Sequence, residues 1–202
     1  MSRLTLLALA MLSCSTVSLP AHAETEFTFF TGYRNGGEFK EVTTGLPLEI
    51  EDGQSYAVTI DVRQTANTWM QFLYSHQETR LTNADANPLS LLEVDVDYLH
   101  LGGVYEWPGE IAQPYLVGTL GVTWFNPDSS GYDDKFRASL GLGGGVRIKL
   151  TEQLDIKLEA RGYSTFLDSG GAMFCGENGC RVLVASSALW QSELRAGLSL
   201  KF

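Results

Sequence analysis

The sequence predicts an all-β fold, an eight-stranded antiparallel up-and-down transmembrane β-barrel with short periplasmic turns and four longer external loops. Eight segments alternate apolar and polar residues at period two, as β-strands with two different faces do. Several of these segments have ten or more residues. Strands of soluble proteins usually have about five or six residues, whereas a tilted membrane-spanning strand needs about 9–11.

The order of the segments along the chain supports the same fold. The eight predicted strands cover residues 26–34, 56–63, 69–77, 92–104, 112–124, 136–148, 154–166 and 188–202. Short connections near 64–68, 106–110 and 150–153 alternate with long ones at about 35–54, 78–90, 125–135 and 167–187. Short turns at one end and long loops at the other are typical of an outer-membrane barrel. With eight strands, both chain ends fall on the periplasmic side.

The N-terminus predicts an export signal. A positive start at Arg3 precedes an apolar stretch of about nine residues, 4–12, and Ala21-His22-Ala23 forms an A-x-A cleavage site. We therefore expect a signal peptide over residues 1–23 that is cleaved, leaving residues 24–202 as the outer-membrane β-barrel domain. A lipoprotein signal ending at Cys14 remains an alternative, although its preceding residues form a poorer motif.

Composition excludes several other classes of protein. After the N-terminal segment no run of about 20 apolar residues occurs, so a bundle of transmembrane helices is excluded. The formal net charge of −10 argues against a nucleic-acid partner. Six prolines and three cysteines exclude collagen-like and cysteine-dense scaffolds.

The two cysteines that follow the signal predict a disulfide in the last long loop. Cys175 and Cys180 are separated by four residues that include two glycines and an asparagine, which favour a tight turn. Export places them in an oxidising compartment. Two cysteines alone cannot complete a structural zinc site, which takes four ligands.

The polar faces of the strands predict the content of the lumen. Apolar faces should meet lipid, and charged faces should line an interior that is just wide enough for side chains to fill. Seven acids then face eight bases, so we expect a network of ion pairs, because unpaired charges in a narrow interior are costly. The predicted lumen ion pairs involve Asp61, Glu93, Asp95, Asp97, Glu159, Glu193, Arg137, Arg147, Arg161 and Arg195. The same inward faces carry Asp155, Arg34, Arg63, Lys157 and Lys201.

The opening and closing segments resemble those of the small eight-stranded outer-membrane barrels of the OmpA, OmpX and OmpW type. The resemblance rests on the signal peptide, on Phe27-Thr28-Phe29-Phe30-Thr31-Gly32-Tyr33-Arg34 and on Leu198-Ser199-Leu200-Lys201-Phe202. It implies a location in the cell outer membrane, among lipid and lipopolysaccharide. A terminal phenylalanine on an alternating strand resembles the signal read by the barrel-assembly machinery, so Phe202 is the expected assembly signal.

Three functions remain open at this point. The first is a monomeric barrel without cofactor or metal whose polar lumen is plugged, with a structural or surface-interaction role in which the loops meet an external ligand or a host surface. The second is a narrow porin-like channel for small solutes or ions; the acidic run 93–97 could also suggest a cation site. The third is a lipid A acyltransferase or deacylase, activities found among small outer-membrane barrels.

The histidines give the enzyme hypothesis little support, and no catalytic residue is predicted. His76 lies at the outer end of the third strand, but Ser75 beside it points to the opposite face, so the two cannot form a catalytic pair. Ser164 on another strand is the alternative partner. We expect His100 on the apolar face of its strand, nearer the periplasmic end.

Overall fold

A computed structural model describes residues 24–40, 47–83, 92–127, 135–167, 172–176, 179–183 and 187–202. The predicted signal peptide and the alternative at Cys14 lie outside the described residues. The strands are β1 (Thr25–Asn35), β2 (Glu38–Lys40), β3 (Pro47–Ile50), β4 (Gly53–Arg63), β5 (Thr68–Asn83), β6 (Leu92–Glu106), β7 (Ala112–Pro127), β8 (Lys135–Lys149), β9 (Leu154–Phe166), β10 (Ala172–Gly176), β11 (Gly179–Leu183) and β12 (Ala188–Lys201).

The eight long strands close into one antiparallel barrel. Hydrogen-bonded neighbours follow the order β4-β1-β12-β9-β8-β7-β6-β5, and β5 pairs with β4 to complete the ring. The first and last strands therefore lie side by side, with Phe27 opposite Leu200 and Tyr33 opposite Leu194. The predicted eight-stranded antiparallel barrel is confirmed. Among the described residues, no helix is long and apolar enough to cross a membrane.

Both chain ends lie at the same end of the barrel as the short turns. Residues 64–67, 107–111 and 150–153 connect neighbouring strands there. The backbone N–H of Thr25 donates to the carbonyl of Phe202 at 3.2 Å, and the N–H of Phe202 donates to the carbonyl of Thr25 at 2.9 Å. The order of short and long connections is thus as predicted.

Two of the long connections contain strands that sequence alternation did not predict. In the first, β2 pairs with β3, and β3 adds to the outer end of β5 with Ile50 opposite Leu81. In the last, β10 and β11 form a hairpin whose register places Cys175 directly opposite Cys180. β2 and β3 thus extend the barrel sheet on the external side, whereas β10 and β11 form a separate two-stranded sheet.

The apolar strand faces point outward, as a lipid environment requires. Large apolar side chains on this surface are strongly exposed when the protein is considered alone, up to 73% for Leu142 and 69% for Trp190. Other exposed members of this surface are Phe27, Phe29, Tyr33, Met70, Phe72, Leu99, Leu101, Leu116, Leu120, Phe136, Leu140, Leu158, Phe166, Leu194, Leu198 and Leu200.

Two inward-facing glycines allow β6 and β7 to approach closely. A Cβ atom added at Gly102 would lie 2.0 Å from the carbonyl oxygen of Gly118, and one added at Gly121 would lie 2.1 Å from that of Leu99. Both contacts are with backbone, which cannot move aside as a flexible side chain can. Glycine within these strands is therefore required by the close backbone approach.

Replacing Gly102 tests this requirement. We expect Gly102→Ala to destabilise the barrel by about 1–3 kcal/mol, the usual cost of forcing extra atoms into a packed interior. Urea unfolding in detergent or the heat-dependent shift in gel mobility measures the loss. The matched control is Gly118→Ala on the outward face of β7, where an added Cβ has no atom within 4 Å. Equal stability of the two variants would contradict the prediction.

Candidate functional site

Apart from Arg63 and Arg137 at its two ends, the described part of the lumen carries equal numbers of acidic and basic side chains, all but one of them buried. Alternation along each strand turns every second side chain inward, so that strands on opposite walls contribute to the same interior. The twelve charged groups are Glu26, Asp61, Glu106, Asp155, Glu159, Glu193, Arg34, Arg147, Lys157, Arg161, Arg195 and the less completely covered Lys201. Six acids thus face six bases, and the interior is close to neutral.

Arg147 is the centre of the periplasmic part of this network. Its Nη1 lies 2.9 Å from Glu26 Oε2 and 3.7 Å from Asp155 Oδ2, and its Nη2 lies 3.0 Å from Glu106 Oε2. The guanidinium also lies over the ring of Trp69, 5.0 Å from the ring centroid. Arg147 therefore joins β1, β6 and β9 from its place on β8.

Lys157 extends the network toward β4. Its ammonium pairs with Glu26 and lies 3.1 Å from Asp61 Oδ2. Asp61 also accepts hydrogen bonds from Gln71 Nε2 at 2.8 Å and from the Thr59 hydroxyl at 3.1 Å. The carboxylate is thereby held by one charged and two neutral donors, which compensates for its burial.

Glu159 occupies the middle of the lumen between two arginines. Its Oε1 lies 2.6 Å from Arg161 Nε and 2.8 Å from Arg195 Nη2. The Tyr115 hydroxyl donates to its Oε2 at 2.9 Å. Arg161 also donates through Nη2 to Gln71 at 2.8 Å, which links this group to the carboxylate of Asp61.

Glu193 and Arg34 form the outermost charged pair of the lumen. Arg34 Nη2 lies 3.4 Å from Glu193 Oε2, and the hydroxyls of Ser55 and Tyr163 donate to the two carboxylate oxygens at 2.6 and 3.0 Å. The guanidinium also lies 4.9 Å from the ring centroid of Tyr98 and 5.2 Å from that of Tyr163. Cation–π contacts of this kind are stronger when the cation is buried, as Arg34 is.

A cluster of apolar and aromatic side chains fills the lumen around and beyond Arg34. Tyr98 and Tyr163 stack with centroids 4.1 Å apart, and Tyr98 donates to Gln191 at 2.6 Å. We call the whole set the outer cluster. Its members are Phe30, Ile50, Ala57, Leu73, Val94, Val96, Tyr98, Phe125, Tyr163, Leu167 and Leu189.

His100 is a member of the lumen, and the prediction that it lies on the apolar face is wrong. Its side chain is 1% exposed. Nδ1 lies 3.0 Å from the Thr119 hydroxyl and Nε2 lies 2.8 Å from the Ser139 hydroxyl. The ring also meets Tyr98 edge-on at 5.4 Å. Both ring nitrogens are thus engaged by neighbouring strands.

The structure places Glu93, Asp95 and Asp97 on the outward face of β6, so their predicted place in the lumen is wrong. Between them, Val94 and Val96 are buried in the outer cluster. Glu93 forms an ion pair with Arg80 at 3.2 Å in which both side chains are more than half exposed. Asp97 accepts a hydrogen bond from Tyr74 at 2.9 Å and lies 2.8 Å from His76 Nδ1.

The physical reason for this error is the length of β6. Its apolar positions change phase after Tyr98, so that Leu99 and Leu101 face lipid while Val94 and Val96 face inward. A strand of 15 residues exceeds the about 9–11 needed to cross the membrane. Because the periplasmic end is a short turn, the excess lies at the outer end, where water replaces lipid outside the barrel.

The remaining predicted lumen residues lie near the ends of the barrel. Arg137 faces inward near the outer end of β8, half-buried, and its Nη1 donates to the carbonyl of Phe136 at 3.3 Å. Arg63 lies at the periplasmic end, with Nε 2.8 Å from Glu24 Oε2. The alternation of β1 could have identified Glu26, since it shares the face of Thr28 and Arg34. Glu106 was missed because the predicted strand ended at residue 104 and residues 106–110 were predicted as a short turn, whereas β6 extends to Glu106.

Ser75 and His76 point to opposite faces of β5, so they do not form a catalytic pair. Ser75 points into the barrel, where its hydroxyl accepts a hydrogen bond from Arg34 Nη2, while His76 points outward to Asp97. In the part of the chain that the structure describes, no group of three or more His, Cys, Asp or Glu residues could hold a metal ion.

The buried pairs should contribute far more to stability than exposed ones. We expect Glu159→Ala to destabilise the barrel by about 3–5 kcal/mol, because it leaves Arg161 and Arg195 buried without their shared carboxylate. The control Glu93→Ala removes only the exposed pair with Arg80 and should cost about 0–1 kcal/mol. Urea unfolding in detergent measures both, and a Glu93 variant as unstable as the Glu159 variant would contradict the assignment of faces.

Comparison with known proteins supports the architecture. The family model described as "Outer membrane protein beta-barrel domain" matches residues 6–202. Among solved structures, Neisserial surface protein A (NspA) is 17% identical with a TM-score of 0.58, and the match covers 87% of this chain and 97% of that chain. OprG from Pseudomonas aeruginosa is 13% identical with a TM-score of 0.56, covering 90% and 97%. No curated protein sequence matches this chain.

Proposed function

This chain belongs to the outer membrane protein beta-barrel domain family and lies in the cell outer membrane, and we propose that it acts there at the external surface with a lumen that does not conduct. In this proposal the barrel is a monomeric support, embedded in lipid and lipopolysaccharide, for the four long connections. Their partner is an external ligand or a host surface.

The observation that carries the proposal is the outer cluster. Its side chains come from strands around the whole barrel, and Leu73, Val96, Tyr98 and Tyr163 have no exposed surface. A water-filled path would require a continuous polar passage, whereas these side chains pack together across the lumen. Below them, each lumen carboxylate is engaged by cationic or hydroxyl groups.

The external side also supports a role in surface contact. β3, β5 and β6 continue past the barrel wall and turn exposed acidic side chains outward, among them Glu49, Glu51, Glu78 and Glu93. Connections that leave a rigid barrel in this way are the usual place for binding residues.

The proposal also assigns roles to Phe202 and His76. Phe202, 77% exposed at the end of the chain, packs edge-on against Phe27 at 6.0 Å, and we assign it as the signal for the barrel-assembly machinery. We assign no catalytic role to His76, whose imidazole positions the Asp97 carboxylate beside Tyr74.

Electrical recording tests the closed lumen. We expect the purified barrel to give no stepwise current in planar lipid bilayers, because the apolar side chains of the outer cluster pack together across the lumen. Reproducible steps that change in size in Tyr98→Ala, but not in the lipid-facing control Leu99→Ala, would contradict the proposal and establish a channel through the lumen.

We also propose a disulfide between Cys175 and Cys180. Their direct opposition in an antiparallel pair corresponds to Cα atoms about 4.5–5.5 Å apart, within the range of about 4.4–6.8 Å that disulfides need. Without reductant, neither thiol of the protein purified from the outer membrane should react with iodoacetamide. Cys175→Ser should expose one reactive thiol at Cys180. Alkylation of both cysteines in the untreated protein would contradict the proposal.

A further inference from the structure

The periplasmic mouth of the barrel contains a cavity of about 570 Å³. The three short turns surround it, contributing Asn67, Pro108 and Thr151 to its wall, and Arg147 and Glu106 from the lumen network form its floor. Its volume is within the range of about 300–1,000 Å³ found for sites that hold small ligands. This cavity is separated from the external surface by the whole length of the lumen.

Most charges around the cavity are already paired within the protein. Arg63 lies 2.8 Å from Glu24, and Arg147 lies 3.0 Å from Glu106. Lys201 lies 2.6 Å from the lumen carboxylate of Asp155. These pairs give the wall its shape and leave little net charge of their own.

Two charged side chains of the cavity wall, Lys149 and Glu152, are not part of these ion pairs. The Lys149 ammonium donates to the carbonyl oxygen of Gly109 at 3.3 Å. In the orientation of the Gln113 amide in which its nitrogen donates to Glu106, its oxygen accepts from Lys149 Nζ at 3.2 Å. Both of these partners are neutral. Among the described residues, no carboxylate lies within ion-pair distance of Lys149, and no cation lies within that distance of Glu152.

We propose that this cavity binds a short zwitterionic peptide from the periplasm. Lys149 binds its carboxylate and Glu152 binds its ammonium group, so that the ligand pairs two charges that have no ionic partner among the described residues. Asn67 and Thr151 provide neutral hydrogen-bonding groups in the cavity wall, and Ala66 and Pro108 provide an apolar surface for a small side chain. Charge-assisted hydrogen bonds at both ends give the site its selectivity.

Titration calorimetry of the intact barrel in detergent tests the site with trialanine, trialanine amide and N-acetyl-trialanine as probes. We expect saturable binding of trialanine. Lys149→Gln and Glu152→Gln should each weaken it about tenfold or more, the usual consequence of losing a hydrogen bond to a charged group. Both side chains are exposed, so neither change should disturb the fold.

The blocked peptides show which end of the ligand meets which side chain. Trialanine amide, which lacks the carboxylate, should bind the Lys149→Gln variant as it binds the unchanged protein. N-acetyl-trialanine should be equally insensitive to Glu152→Gln. The matched control is Lys135→Gln at the opposite end of the same strand, which should leave all affinities unchanged.

Several outcomes would overturn the proposal. One is the lack of saturable binding of trialanine up to about 10 mM, a range that covers the weak millimolar affinities of small ligands. Another is binding that neither Lys149→Gln nor Glu152→Gln weakens. An equal effect of Lys135→Gln would show non-specific attraction instead of a site. If only Lys149→Gln weakened binding, and N-acetyl-trialanine bound as tightly as trialanine, the site would recognise a carboxylate alone and the zwitterionic ligand would be wrong.

Discussion

Closure of the hydrogen-bond ladder between β1 and β12 determines most other features of this molecule. Hydrocarbon offers no water to unpaired N–H and C=O groups, so a sheet can cross a membrane only when every edge within it is paired. Here ten residue pairs join the first and last strands. Closing after eight strands fixes a narrow interior, and everything that faces inward has to fit within it.

The narrow interior explains why the charged side chains pair so completely. Inward-facing Arg and Lys side chains from opposite walls meet carboxylates at contact distance, as Arg147 does with Glu26 and Glu106. Each ion loses its hydration on entering the lumen, and only close partners offset this cost. The lumen is therefore a polar core that holds the wall together, in the place where a soluble protein has an apolar core.

Period-two alternation was sufficient to predict the eight barrel strands and which face of seven of them points into the lumen, because one phase holds along each of those seven. It failed on β6, where acidic residues alternate with Val94 and Val96 beyond the level of the lipid. A single sequence pattern does not say where along a strand lipid gives way to water. The pairing within the lumen, such as Glu159 with Arg161 and Arg195, could not be predicted either, because it depends on the stagger between distant strands.

The reversal on β6 shows why apolar side chains lie in the lumen at its outer end. Within the membrane, lipid makes the outside apolar and the inside polar, and beyond it water favours the opposite arrangement. The same strand satisfies both by carrying Leu99 and Leu101 outward at one level and Val94 and Val96 inward at the next. The hydrophobic effect that drives the first pair toward lipid therefore drives the second pair into the outer cluster. The extension of the strands into water thus brings apolar side chains into the outer end of the lumen, where Ile50 and Leu167 from the adjoining connections join them in the outer cluster.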